Sequence, residues 1–327
     1  MRSEQLFSTL KDLYEIRRTV CIEGPPGGGK TSIVHQVAKE LRVDCVELHM
    51  PTMLVEDFGI LFPDGDQLKY KLPSWFPVEG VAPDNGILLF DDRNQASSDL
   101  QKVLANICQS RTLHGHRMPD GWQVISTGNR QSDRAGANKI LSHLRNRETV
   151  LEYETTVEDW SKWALENGVS PLAIAFFNFR PSLLNNFDPS KDLNATPRSW
   201  SEGVFEVMGK VAPASEFECF KGAVGEGPAA EFTGFLKVYR SLPDPDSVLK
   251  NPAAANVPSD PSTVYALCGA LAERVQQATM NNFVEYINRI PTEFSLLALK
   301  MALMRNRLLV AHPAYVAWAA KHGDMLK

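Results

Sequence analysis

The amino-acid sequence predicts an α/β fold, a parallel sheet covered by helices on both faces, followed by a mainly α-helical domain. Three observations carry the prediction. Near-continuous apolar segments alternate with helical segments through the first half of the chain, as a sheet buried on both faces requires. A glycine-rich turn, "GPPGGG" from Gly24 to Gly29, separates the first apolar segment from the first long helical one. After "TVLEYE", residues 149–154, the strand signal stops and only helical spacing continues.

The elements follow in order. Leu6, Leu10, Leu13 and Tyr14 recur at helical spacing and predict a helix over residues 3–16. "TVCIEG" (19–24) is the first strand, and a helix runs from Lys30 to about Leu41. "VDCVELHM" (43–50) is a strand, and a long loop leads from it to the strand "GILLFD" (86–91). A helix from about Ser97 to Ser110 and the strands "WQVIST" (122–127) and "TVLEYE" complete the α/β part. Helical segments then appear at 157–168, 171–179 and 199–212. The Pro-rich stretch 242–262 reads as a loop, with two or three helices beyond it, one of them in "EFSLLALKMALMRNRLLV". The expected division is residues 1–155 for the sheet domain and 156–327 for the helical one. There is no internal repeat and no low-complexity tail.

Composition narrows the function classes. With 327 residues and 43% hydrophobic side chains, the chain can bury the cores of two domains. A net charge of −5 and a pI near 5.9 offer no general basic surface of the kind that drives nucleic-acid or membrane binding. The five cysteines are scattered and form no CxxC, which argues against a disulfide framework and a structural zinc site. No segment approaches the ~18 consecutive apolar residues of a membrane span. The expected location is cytoplasmic.

The turn extends to "GPPGGGKT", Gly24 to Thr31, which fits G-x-x-x-x-G-K-[ST] between a strand and a helix. In that setting backbone amides face phosphates, the helix N-terminus adds its positive end, Lys30 reaches the outer phosphate oxygens and Thr31 ligates Mg²⁺. Gly24, Pro25, Pro26, Gly27, Gly28, Gly29, Lys30, Thr31 and Ser32 are thus the candidate residues for ATP. The second protein partner of the metal is expected at a neighbouring strand end, where Asp91 stands. Asp92 would orient or deprotonate a water, or else act as a solvated cap or pair with Arg93. Asn129, in "STGN", is placed to hold that water, with a plain turn residue as the alternative. Arg145 and Arg147 precede the last strand and could reach a neighbouring subunit's phosphates, or only end a helix. Arg198, in "TPRSW", starts a helix in the second domain and could approach the nucleotide in cis.

With these residues in place the chain resembles the AAA+ ATPases and, within them, the MoxR branch. The motifs that carry the resemblance are "GPPGGGKT", "ILLFDD" with "NQA", "STGN", "SDRAGA" (132–137), "NRETV" and "TPRSW". It implies a P-loop αβα core with a helical lid, and a hexameric ring binding ATP and Mg²⁺ between subunits. By motif position Lys30 and Thr31 would be Walker A, Asp91 and Asp92 Walker B, Asn129 sensor 1, Arg147 the trans-acting finger and Arg198 sensor 2. The implied partners are copies of the chain and a protein substrate, with a von Willebrand A-type protein as one candidate. Segment 110–122 resembles the hairpin that this branch inserts before the first sensor. Its His114, His116 and Arg117 are expected to form a solvated tip rather than a metal site. The loop 55–77 occupies the place of substrate-gripping segments, with Phe58, Trp75 and Phe76 as aromatic candidates unless they pack against the sheet.

One residue departs from the family pattern. Asp92 stands where glutamate is usual, its carboxylate drawn back by ~1.5 Å, and misplacement on that scale can cost about 100-fold in rate. Arg93 beside it is a candidate to neutralise it. A nucleotide-dependent binding module with weak hydrolysis is therefore the rival expectation, and a DNA-associated AAA+ protein the third.

Overall fold

The computed structural model describes residues 1–130, 138 and 140–322. The segment "SDRAGA" lies outside the described residues. The chain divides into two units, Met1–Thr155 with Phe187–Ser190, and Thr156–Asn186 with Lys191–Lys327.

The first unit opens with α1 (Ser3–Glu15), β1 (Val20–Glu23), α2 (Lys30–Leu41) and β2 (Asp44–His49). It continues through β3 (Ile60–Asp64), β4 (Gln67–Lys71), β5 (Asn85–Asp91), α3 (Ser98–Ser110), β6 (Thr112–Leu113) and β7 (His116–Arg117). β8 (Gly121–Gly128), α4 (Ser142–Arg145) and β9 (Thr149–Glu152) close it. Five strands form one all-parallel sheet in the order β2-β5-β8-β1-β9.

The run Ile87-Leu88-Leu89-Phe90 is apolar throughout because both faces of β5 are covered. Ile87 and Leu89 join a core with Leu6 and Leu10 of α1 and Ile33, Val34 and Val37 of α2. Leu88 and Phe90 join a second core with Leu100, Leu104 and Ile107 of α3. Alternate side chains of one strand thus supply two cores, the property that distinguishes a buried parallel strand from a half-exposed one.

The long loop after β2 is not structureless: β3 and β4 pair there as an antiparallel ribbon, Ile60 opposite Lys71 and Asp64 opposite Gln67. The Asp64-Gly65 step was the available signal, since Gly65 takes the left-handed φ of 60° that a tight turn needs. Phe58 and Phe76 are buried, and Trp75 packs edge-on against both. The packing alternative thus applies to all three, and the exposed apolar residues of the ribbon itself are Ile60, Leu61, Phe62, Leu68 and Tyr70. β6 and β7 form the expected second hairpin, but His114 is not merely solvated. Its ring stacks on Tyr70 at 3.5 Å, and its Nε2 lies 3.1 Å from the Phe58 carbonyl oxygen.

The second unit is helical. It contains α5 (Val157–Glu166), α6 (Pro171–Phe179), α7 (Pro197–Trp200), α8 (Pro213–Val224) and α9 (Glu226–Arg240). α10 (Pro245–Lys250), α11 (Pro261–Arg274), α12 (Met280–Ile287), α13 (Thr292–Arg305) and α14 (Pro313–His322) follow. Its core is rich in aromatic contacts, with Phe176 touching Trp200, Phe232 and Phe235. Two expectations need correction. The Pro-rich stretch holds α10 and the start of α11, because Pro245 and Pro261 occupy first helical positions, where the missing N–H costs nothing. Asp244 and Asp260 cap the two helices. From Pro261 onward the described residues hold four helices rather than two or three. No helix among the described residues is long and apolar enough to cross a membrane.

Candidate functional site

The loop Gly24–Gly29 leaves the C-terminal end of β1 and enters α2 at Lys30. Gly29 has φ 92° at the helix N-cap, a left-handed backbone that favours glycine. Gly24 is confined differently, since a Cβ there would sit 2.7 Å from the Tyr153 carbonyl oxygen. Thr155 donates its hydroxyl to the Gly28 carbonyl at 2.6 Å and anchors the loop from beyond β9. Lys30 is buried, and its Nζ donates to the Gly24 and Pro25 carbonyls at 3.1 and 2.9 Å and to Asn129 Oδ1 at 3.0 Å. Ser32 is exposed on the first turn of α2.

Asp91 closes β5 next to that loop. Its Oδ1 accepts the hydroxyls of Thr31 and Thr127, both at 2.6 Å. Asp92 adopts a left-handed backbone with φ 51°, and its amide donates to Thr127 Oγ1 at 3.0 Å. Asn129 follows β8 and is clamped by Asn94, whose Nδ2 donates to its carbonyl at 2.7 Å while Oδ1 accepts its amide at 3.3 Å. Lys30, Thr31, Asp91, Asp92 and Asn129 therefore meet at the C-terminal ends of β1, β5 and β8, where α/β sheets bind ligands.

Arg93 turns away from Asp92. Buried to 1% exposure, it donates Nε to Cys21 Sγ at 3.0 Å and pairs with Glu148 at 2.8 Å and Glu23 at 3.6 Å. The expected neutralisation of Asp92 by Arg93 is thus corrected: the buried carboxylate of Glu148 has taken the guanidinium. Ser126 donates to Glu148 Oε1 at 2.9 Å. Burial raises the Glu148 carboxyl above the usual carboxylate range, opposed by Arg93. Burial also pushes the Cys21 thiol up to about 12.

The two arginines before β9 differ. Arg145 is exposed and grips both Glu23 carboxylate oxygens, at 2.7 and 3.2 Å. Arg147 is half-buried and donates to the Ala105 carbonyl of α3 at 3.2 Å. Arg198 belongs to the second unit, where it is exposed on α7 and lies 3.9 Å from Glu202.

Thr127, Asn94 and Thr155 were not singled out from the sequence. The alternation of β8 was the usable signal for Thr127: Ser126 and Thr127 face opposite sides, one reaching Glu148 and the other Asp91. The asparagine clamp and the Thr155 anchor join segments far apart in the chain, and no local spacing announces them.

The donor chemistry at Thr31 and Asp91 is hard oxygen throughout, which suits Mg²⁺ beside phosphate oxygens. Fold and side chains together define a P-loop αβα core followed by a mainly helical region. Residues 20–147 match the ATPase family associated with various cellular activities (AAA). The match spans less than half of the 327 residues. No curated protein matches the chain. Among solved structures, a candidate ATPase from Cytophaga hutchinsonii is similar at 12% identity and a TM-score of 0.38, covering 90% of this chain and 79% of its own.

Proposed function

We propose that this protein binds ATP with Mg²⁺ and hydrolyses it as an AAA+ ATPase of MoxR type, working in the cytoplasm as a hexameric ring that remodels or activates a partner protein. The observation that carries this reading is the convergence of Lys30, Thr31, Asp91 and Asn129, with Thr31 and Asp91 2.6 Å apart and Lys30 and Asn129 3.0 Å apart. In it the loop amides and Ser32 embrace the phosphates, Lys30 neutralises their charge, and Thr31 and Asp91 serve the metal. Bound Mg²⁺ supplies further charge neutralisation on the phosphate oxygens. Asn129 and Asp92 orient the attacking water, Arg147 acts from a neighbouring subunit, and Arg198 acts from the helical unit. Contact with a protein substrate belongs to the exposed ribbon of Ile60, Leu61, Phe62, Leu68 and Tyr70 rather than to the packed Phe58, Trp75 and Phe76. A von Willebrand A-type partner rests on the resemblance alone. Phosphate release by purified protein, over a range of concentrations and with candidate partners, tests the reading. No excess over a Lys30→Ala control overturns it.

Ring assembly is tested by size-exclusion chromatography with light scattering, with and without ATP and Mg²⁺. Nucleotide-dependent oligomers should form in wild type and weaken in Arg147→Ala. Arg145→Ala is the necessary comparison because Arg145 is the more exposed, and a larger effect there would transfer the finger role to it.

A second reading, a nucleotide-dependent binding module with slow turnover, is favoured by the aspartate at 92. The short carboxylate sits on a left-handed backbone whose amide is tied to Thr127. Asp92→Glu is expected to raise turnover by about 10- to 100-fold if the missing methylene limits the rate. Unchanged turnover removes the basis for slow hydrolysis.

A further inference from the structure

The glycine loop is held from outside by one short stretch of chain after β9. The Tyr153 amide donates to the Glu23 carbonyl at 2.7 Å, where the loop begins, and the Thr155 hydroxyl donates to the Gly28 carbonyl at 2.6 Å, where it ends. Thr155 Oγ1 also lies 3.3 Å from the Tyr153 hydroxyl, which lies 3.0 Å from Ser3 Oγ at the start of α1. A hydroxyl has one proton to give. The short contact with Gly28 takes that of Thr155, so the Tyr153 hydroxyl donates to Thr155 and Ser3 donates to Tyr153. Three hydroxyls thus form a chain with one direction that ends on a loop carbonyl, each bond polarising the next.

That carbonyl governs the other half of its peptide. Among the described residues no peptide bond is cis, and in a trans peptide the C=O and N–H point in opposite directions. With the Gly28 oxygen held towards Thr155, the Gly29 N–H is turned the other way. Gly27, Gly28 and Gly29 have no Cβ, so little in the loop itself resists rotation of this peptide. A side chain at 28 has no room to act as a brace, since its Cβ would sit 3.1 Å from Thr155 Oγ1 and 3.2 Å from the Pro25 carbonyl oxygen. The brace comes from Thr155 instead.

We propose that Thr155 is a positioning residue for phosphate: through the Gly28 carbonyl it fixes the Gly28–Gly29 peptide so that the Gly29 amide faces the nucleotide's phosphates, and Tyr153 and Ser3 act through it. The proposal rests on the nucleotide reading and extends it to residues outside the G-x-x-x-x-G-K-[ST] pattern. An amide aimed before the ligand arrives needs no reorganisation when it binds. Without the hydroxyl, the same peptide is free to turn its oxygen towards the phosphates, and an attraction becomes a repulsion.

The test is the dissociation constant of a fluorescent ATP analogue with Mg²⁺, and its displacement by inorganic tripolyphosphate, on the full-length protein below each variant's melting transition. Thr155→Val keeps the shape and loses the hydroxyl, and should weaken both ligands about tenfold. Thr155→Ser should hold affinity within about threefold of wild type. Tyr153→Phe should cost about threefold alone and nothing further in the Thr155→Val background, because it acts only through Thr155. A packing role for Thr155 predicts the reverse order, with valine harmless and serine harmful. Wild-type affinity in Thr155→Val, no recovery in Thr155→Ser, a loss that tripolyphosphate does not share, or a Tyr153→Phe effect that persists beside Thr155→Val each overturns the proposal. A wild type that binds neither ligand sinks the nucleotide reading and the proposal with it, a result distinct from any ordering of the variants.

Discussion

Lys30→Ala is expected to reduce ATP turnover by about 100- to 1,000-fold, the loss that follows removal of one preorganised electrostatic donor from a site of this kind. The ammonium is buried at the mouth of the loop, held by two carbonyls and Asn129 Oδ1. It is therefore already desolvated and aimed when phosphates arrive, and little reorganisation remains to be done. Alanine also strands oxygen acceptors that Lys30 now satisfies, so a stability loss of about 1–3 kcal/mol should accompany the functional one. Phosphate release and the dissociation constant of a fluorescent nucleotide, both at a temperature below the variant's melting transition, separate the two effects. Turnover within a factor of about three of wild type would refute the role given to Lys30.

The largest stability effect is expected at Arg93. Its guanidinium and the Glu148 carboxylate are each 1% exposed and 2.8 Å apart. Removing one member of a buried pair costs about 3–5 kcal/mol because the other charge stays buried without compensation. Arg93→Ala should accordingly lower the melting temperature of the first unit by roughly 10 °C. The double variant Arg93→Ala/Glu148→Gln should recover part of that loss, since no charge is then stranded. The pH dependence has a defined sign. Burial raises the Glu148 carboxyl, and loss of Arg93 removes the strongest influence opposing that rise. A carboxyl raised on folding carries no penalty below its unfolded value and a growing one as pH climbs towards its folded value. The gap between Arg93→Ala and wild type should therefore narrow as pH falls into the acidic range. A constant gap from neutral to acidic pH would contradict the assignment.

The sheet was legible because its signal is local. A run such as Ile87 to Phe90 can be apolar at every position only where both faces are covered, and the glycine turn before Lys30 marks where the chain reverses. Proline was misjudged between 242 and 262, where Pro245 and Pro261 begin helices that aspartates cap. At the site, Lys30, Thr31 and Asp91 could be paired from motif logic alone. The orientation of Arg93 could not, because its partner Glu148 lies 55 positions later in the sequence (148 − 93) and is reached only once the sheet has formed. Asn94 and Thr127 escaped for the same reason, being defined by what they touch across strand ends rather than by spacing.

The stack of Tyr70 on His114 joins two ribbons that leave the sheet at separate roots, one after β2 and one after α3. A lone two-stranded ribbon is barely stable in water. His114, at the turn of the second ribbon, is seated against the root of the first, where Tyr70 and Phe58 flank the Ile60–Lys71 end, so the two brace each other: a load on the apolar face of β3 and β4 is shared with the hairpin that leads into β8 at Gly121. Whatever presses on the first ribbon bears on the second as well.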